Sequence, residues 1–479
     1  MAVNNNVTKA TVWAIIDRFS SQIVAFLIGV ILARLLTPDD YGIIGMTTIF
    51  IAISNVFIDS GFANGLIRKL DRTESDLSTA FIFNIVVGVF SYFVLYFSAP
   101  TISDYFSEPL LTPVLRIIGL NIIFLSLSVV QTALFTAKLD IKSQALINLL
   151  SLIPSGIVAI IAAYSGLGVY SLALQTVLSS FIKMILLWTF SKWYPKTGFS
   201  RASFRYLWSF GSKLLLANII GTIFNEIYSV LIGKYIGKTD LGYYSKASHL
   251  NQNVNGTTTG IVQKISLPVL TKYQEDTNEL RDRFSNLMRI LVLFIAPLSA
   301  CLFYLSKDLV LFLWTDKWLD CVPIFKMLII GTMFGPIGQM SLSLLQVSNR
   351  TDIILKLEAP KKIVYCMLIA IGFQYGVIGL AFVQILINMI ASLFNMYPTK
   401  SLLNYSYWRQ IIDVFKYMIL SYLIGCAVYI TLPIFNPVWN ITIYAVVFLV
   451  AYVVTLVLIK DKIVMDYIIN YIKNSKKNV

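Results

Sequence analysis

The sequence predicts an all-α integral membrane protein of 14 transmembrane helices, arranged as two six-helix lobes plus a C-terminal helix pair. Composition gives the first indication. Hydrophobic residues make up 57% of the 479 residues and charged residues 13%, far from the mix of a soluble globular chain. The second indication is a succession of 14 apolar runs, each close to the about 20 residues that cross roughly 30 Å of hydrocarbon. The runs are continuous rather than alternating, which excludes a membrane β-barrel and leaves helices to satisfy the backbone in lipid. The third is the distribution of basic residues, which follows the positive-inside rule and accounts for most of the net charge of +14.

The spans fall near 12–36, 41–66, 78–98, 112–136, 145–164, 167–190, 206–233, 243–270, 286–305, 322–346, 353–373, 376–398, 409–431 and 438–459. With the N-terminus inside, the inner connections carry 21 Lys and Arg residues, among them Arg68, Lys192, Arg281, Arg409 and Lys473. The outer connections carry 4: Lys234, Lys238, Lys307 and Lys317. Both termini are therefore expected in the cytoplasm, as an even number of spans requires. The basic charges are scattered over short loops, so no nucleic-acid partner is expected. The first span, with Asp17 and Arg18 inside it, is unlike a cleavable signal peptide. Cys301, Cys321, Cys366 and Cys426 are far apart and form neither a zinc spacing nor a disulfide framework. Trp314 and Trp318, in the longest outer connection, suit an interfacial perch.

Two matches indicate an internal repeat. At an offset of 200, Arg34 to Gly42 aligns with Lys234 to Gly242; basic, aspartate and glycine positions coincide, and Thr48 and Asn55 fall opposite Ser248 and Asn255. At an offset of 212, Arg116-Ile117-Ile118-Gly119 faces Leu328-Ile329-Ile330-Gly331. Six spans per copy put both copies the same way up, related by a pseudo-twofold axis along the membrane normal. The predicted division is 1–200 and 201–404 for the lobes and 405–479 for the last helix pair and basic tail.

Charges inside spans are costly and mark cavities or paired structural sites. Span 1 holds Asp17, Arg18 and Gln22; span 2 holds Thr48, Asn55 and Asp59. Span 7 places Lys213 at a depth similar to Arg18, followed by Asn218, Thr222, Asn225 and Ser229 on one face, with Glu226 beside them. Span 8 is the least apolar, with His249, Asn253 and Lys264 sharing a face and Asn255 close by. His249, the sole histidine, reads as a core or cavity-lining residue, and Lys183 in span 6 as structural. The apolar run Ile363–Phe373 is too short to cross, so span 11 must include Lys356, Glu358, Lys361 and Lys362. At 1.5 Å per residue, Lys361 and Lys362 lie about 12–15 Å deep, with Glu358 in helical reach and Pro360 favouring a kink. Three lysines against one carboxylate leave positive charge for an anionic ligand; ion pairing and snorkelling are the structural alternatives. Arg18, Lys213, Lys264, Lys356, Lys361 and Lys362, with Asn55, Asn225 and Asn255, form the candidate anion-binding set. Asp17 and Glu226 are the candidates for ion coupling.

Several motifs carry a family resemblance: Leu36-Thr37-Pro38-Asp39-Asp40-Tyr41-Gly42, Asp59-Ser60-Gly61-Phe62-Ala63-Asn64-Gly65-Leu66-Ile67, Lys238-Thr239-Asp240-Leu241-Gly242-Tyr243-Tyr244 and Ser266-Leu267-Pro268-Val269-Leu270. Through them, over nearly the full length, the chain resembles the polysaccharide transporters of the multidrug/oligosaccharidyl-lipid/polysaccharide exporter superfamily. The branch resembled is the bacterial flippases for O-antigen, capsule or colanic-acid-type repeat units. The resemblance implies two V-shaped lobes in the bacterial inner membrane, alternating access, and movement of an undecaprenyl-diphosphate-linked oligosaccharide to the outer leaflet. It also implies a basic central cavity for the diphosphate, without fixing its positions; where many relatives carry an arginine, this chain mostly offers lysine, which lacks the bidentate fork. No enzymatic chemistry and no cofactor beyond H⁺ or Na⁺ coupling are expected; polysaccharide polymerase machinery is a candidate partner. A cation-coupled multidrug antiporter is the alternative, and would favour an acidic, aromatic site. A membrane polymerase or glycosyltransferase would need a long outer loop, which is missing.

Overall fold

The computed structural model describes residues 2–59, 61–69, 71–432, 436–461 and 463–465. Those residues are helical almost throughout, and they divide into two compact units, Met1–Ser245 and Lys246–Val479. The first unit contains α1 (Ala2–Leu35), α2 (Pro38–Asp59), α3 (Phe62–Arg68), α4 (Glu74–Phe106), α5 (Leu111–Ser126), α6 (Val129–Ala137), α7 (Ile141–Tyr164), α8 (Val169–Ser191) and α9 (Arg201–Tyr235). The unit boundary falls within α10 (Lys238–Thr271). The second unit contains α11 (Thr277–Tyr304), α12 (Ser306–Trp314), α13 (Cys321–Thr332), α14 (Phe334–Val347), α15 (Thr351–Phe373), α16 (Gly376–Met396), α17 (Thr399–Leu403), α18 (Tyr407–Thr431) and α19 (Pro437–Leu458).

Eleven helical segments among the described residues are long and apolar enough to cross a membrane, and 12 if α5 and α6, bent by 44°, count as one. The chain is a multi-pass membrane protein. The two further spans expected from sequence fall on α10 and α15, whose 34 and 23 residues suffice in length. They miss on polarity: α10 holds a run of Asn and Thr, and α15 holds Asp352, Lys356, Glu358, Lys361 and Lys362. Pro360 is accommodated inside α15 without ending the helix.

Local signals explain the helix starts. Thr37 and Asp40 bond reciprocally at the start of α2 (Asp40 N–H to Thr37 Oγ1, 3.3 Å; Thr37 N–H to Asp40 Oδ2, 2.9 Å), and Pro38 occupies the first helical position, where no N–H is needed. Thr73 and Asp76 repeat the device at α4, where Asp76 also accepts a 2.7 Å bond from Lys69. In the first unit α1 lies along α7, and Gly156 makes this possible, because a Cβ there would overlap Ile28. Ile28, Leu32 and Leu36 bury against Ala159, Ala163 and Leu172. In the second unit Phe284, Met288 and Val292 of α11 pack with Phe334, Ile337 and Met340 of α14 and Val414 and Met418 of α18. Outward faces stay apolar: Val86, Phe90, Phe93 and Phe97 form an exposed helical stripe on α4, suited to acyl chains.

Within the first unit the two aligned turns meet. A Cβ on Gly42 would overlap the Lys238 carbonyl oxygen, and a Cβ on Gly242 would overlap the Pro38 carbonyl oxygen. These are the same contact at an offset of 200 residues. Between them Thr239 Oγ1 donates to Asp39 Oδ1 at 2.6 Å, and Lys238 Nζ lies 4.0 Å from Asp39.

Past α19, Asp461 is buried and accepts from Lys416 Nζ (2.8 Å) and Tyr417 Oη (2.9 Å) on α18. Burial raises its pKa, but the Lys416 and Tyr417 hydrogen bonds outweigh this and hold the carboxyl below its usual range. A depressed carboxylate pKa contributes stability that is present above the unfolded value, about 3.9, and is lost as pH falls through the folded value. The docking of this segment is therefore expected to persist at pH 5 and to release only in stronger acid. Asp461→Asn should release it at neutral pH, read as faster hydrogen exchange across 459–465.

Candidate functional site

In the first unit the polar groups of α1 converge with those of α7 and α8. Asp17 accepts from Ser21 Oγ (3.2 Å) and from Asn148 Nδ2 (3.2 Å), four residues along its own helix and across to α7. Together with Arg18, Gln22, Ser179 and Lys183 these groups line a 390 Å³ cavity. Sequence reasoning placed Asp17 and Arg18 and left Lys183 structural; the structure brings Lys183 to the same cavity wall. Asn148 and Ser179 were missed, because a single amide or hydroxyl in an apolar run carries no periodic signal.

On α9, Glu226 Oε2 accepts a 2.9 Å bond from Thr48 Oγ1 of α2, tying together two positions singled out separately. Asn55 lies about two turns further along α2; its Oδ1 is buried and accepts no hydrogen bond. Asn225 is exposed beside Glu226. Asp59 forms no ion pair among the described residues. The side chain of Lys213 lies outside the described residues, although its helix is described.

In the second unit, Asn251 of α10 is buried and accepts from the Thr332 hydroxyl of α13. Asn255 accepts from Thr259 Oγ1 (3.0 Å) and fills the space beside Gly335, where a Cβ would stand 2.6 Å from its Oδ1. Lys264 is exposed, and so is His249, which leaves the cavity-lining alternative rather than the core one for the histidine. Trp314 and Trp318 are not on an interfacial perch. They are 4% and 0% exposed, folded in by the short helix α12, with the Lys246 ammonium 5.0 and 5.8 Å from their ring centroids.

The α15 lysines separate. Lys361 is 4% exposed; its ammonium lies 2.5 Å from Glu358 Oε1 and 3.3 Å from Asn395 Oδ1 on α16. Consecutive helical residues point about 100° apart, so Lys362 leaves that interface and rests half-buried, 5.5 Å from the Tyr365 ring centroid. Lys356 is exposed and 3.7 Å from Asp352. Glu358 was expected within helical reach of Lys361 or Lys362, and it meets Lys361; Asn395 was not expected, since nothing in sequence announces which amide a neighbouring helix presents. The arrangement holds fixed cations and amides in an apolar setting. It contains no nucleophile–base pair, and no group of three or more metal-ligating side chains occurs among the described residues.

Comparison with known proteins agrees in class. The chain is similar to the teichuronic acid biosynthesis protein TuaB of Bacillus subtilis (strain 168), 24% identical over 392 residues and 81% of each chain. It is similar to the lipopolysaccharide biosynthesis protein WzxC of Escherichia coli (strain K12), 22% identical over 395 residues, covering 82% of this chain and 80% of the relative. Among solved structures, the lipid II flippase MurJ in an inward closed conformation matches with a TM-score of 0.78 at 16% identity, over 95% of this chain and 100% of that one. An inward-facing multidrug transporter of the MATE family matches with a TM-score of 0.63 at 14% identity, over 81% and 96%. These structural likenesses establish the fold, shared by flippases and drug transporters alike. The family of polysaccharide biosynthesis proteins matches residues 31–323, more than half the length, and the chain belongs to that family.

Proposed function

We propose that this protein is an alternating-access flippase. It moves undecaprenyl-diphosphate-linked oligosaccharide repeat units across the bacterial inner membrane for surface polysaccharide biosynthesis. Family membership carries the reading, supported by relatives named for polysaccharide biosynthesis and by a fold shared with a lipid II flippase. The protein is a transporter and not an enzyme. In this reading α10 and α15 complete 14 spans with both termini cytoplasmic, and residues 1–200 and 201–404 form two symmetry-related lobes. The reciprocal contacts of Gly42 and Gly242 support that symmetry. Arg18, Lys213, Lys264, Lys356, Lys361 and Lys362 offset the desolvation of the diphosphate, while the polyprenyl chain stays in lipid. Asn55, Asn225 and Asn255 supply hydrogen bonds to the headgroup. Asp17 and Glu226 are the carboxylates proposed to couple the cycle to H⁺ or Na⁺, and the polymerase machinery would receive the product. Cations outnumber carboxylates among these in-span residues, which disfavours the drug-antiporter alternative.

Substitution of Lys361 and Lys362 by Gln tests the reading. At matched expression, surface polysaccharide is expected to fall about tenfold, equivalent to one lost charge-assisted contact in the binding step. Undiminished polysaccharide in the double variant would remove both lysines from the mechanism.

A further inference from the structure

Away from the polar spans, the second unit holds a cavity that the transport reading does not use. It has a volume of 530 Å³ and lies where the N-terminal ends of α11 and α18 meet. We propose that it binds a phosphate group, carried either by an anionic phospholipid or by a solute.

Three arginines line it: Arg281 and Arg289 from α11, and Arg409 from the first turn of α18. On α11 the lining residues Arg281, Ser285, Asn286 and Arg289 recur every three to four positions or beside one another, so they occupy one helical face. The floor is built rather than loose. Arg289 donates to Asp413 Oδ2 at 2.9 Å, the Tyr405 hydroxyl donates to the same oxygen, and Ser285 Oγ donates to Tyr405 Oη at 3.2 Å. This network fixes the Arg289 guanidinium, yet its Nε is buried and has no acceptor.

The charge balance points the same way. Arg281 is answered by Asp282 at 3.1 Å and Arg289 by Asp413. Arg409 has no carboxylate partner among the described residues. Ser406 stands at the N-cap of α18 without its hydroxyl capping the helix, so the first-turn N–H groups lack that side-chain acceptor and the helix dipole adds positive potential. Arginine forks suit phosphate oxygens, and Asn286 and Asn404 add neutral amides to the wall. Trp408, next to Arg409, is 71% exposed, a placement that fits the headgroup layer.

The test uses the full-length protein, delipidated in non-ionic detergent, compared with Arg281→Gln/Arg409→Gln. Both substitutions leave Arg289 and the floor intact. One arm adds back phosphatidylglycerol and phosphatidylcholine in equal amounts and measures which is retained by native mass spectrometry; the other titrates inorganic phosphate calorimetrically. A preference for phosphatidylglycerol that falls about fivefold in the variant supports the proposal and identifies the lipid as the source. Phosphate binding that falls likewise supports it with a solute as the source. Arg281→Lys/Arg409→Lys should recover part of either signal. Should the double Gln variant fail to fold, the exposed Arg409→Gln alone gives the same readings. Unchanged phosphatidylglycerol retention together with unchanged phosphate binding, in a variant that melts like the parent, overturns the site. Because binding is read without transport, this outcome is independent of the flippase reading.

Discussion

Gly42→Ala is expected to abolish most of the folded protein. The added methyl would overlap the backbone carbonyl of Lys238, which cannot rotate away as a side chain would. Overpacking against movable side chains costs about 1–3 kcal/mol, and a backbone obstacle places this substitution at or above the top of that range. Gly242→Ala should behave alike, because its methyl meets the carbonyl of Pro38 in the mirrored position. Gly45→Ala is the control: its methyl would meet the Ser245 hydroxyl at 2.8 Å and Leu241 side-chain atoms, which can shift. Thermal melting followed by size-exclusion chromatography of detergent extracts ranks the three. A Gly42→Ala protein that melts within about 2 °C of the parent would contradict the close crossing of these turns.

Arg289→Met is expected to be the next most damaging change. It removes the cation from a partly buried carboxylate and leaves Asp413 facing Tyr405 without a counter-charge. Loss of one partner of a buried pair costs about 3–5 kcal/mol; the residual exposure of both side chains here brings the figure to about 2 kcal/mol. Asp413→Asn should cost less, since an amide still accepts from both neighbours. The double variant Arg289→Met/Asp413→Leu should melt above the single Arg289→Met, because it leaves no orphan charge. A double variant no more stable than the single would show that the pair contributes through packing rather than through charge.

Fold class was legible because it depends on the bilayer: long apolar runs and the backbone's need for internal hydrogen bonds leave one solution. The two helices least legible from hydropathy, α10 and α15, carry most of the second unit's candidate site. Polarity is tolerated in a span only where side chains find partners away from lipid, so the feature that lowers the hydropathy of these two helices is also the one that draws attention to them. Spacing along one helix put Glu358 within reach of the lysines that follow it, and Lys361 is the one it meets. Spacing could not reach Asn148 against Asp17, Asn395 against Lys361, or Thr48 against Glu226, because those depend on which helices become neighbours. The same limit explains Trp314 and Trp318. Aromatic residues in an outer connection read as an anchor until the turn that folds them inward is known.

The bond from Thr239 to Asp39 has a further implication. If the two copies descend from one ancestral half, identical halves would place the same residue at both positions. Two aspartates there would repel, and two threonines would lose the charged acceptor. Joining the halves into a single polypeptide lets the matched positions evolve separately, so that one supplies a hydrogen and the other receives it. A homodimer of identical subunits has no access to that asymmetry, and this seam is a place where fusion gains something that symmetry withholds.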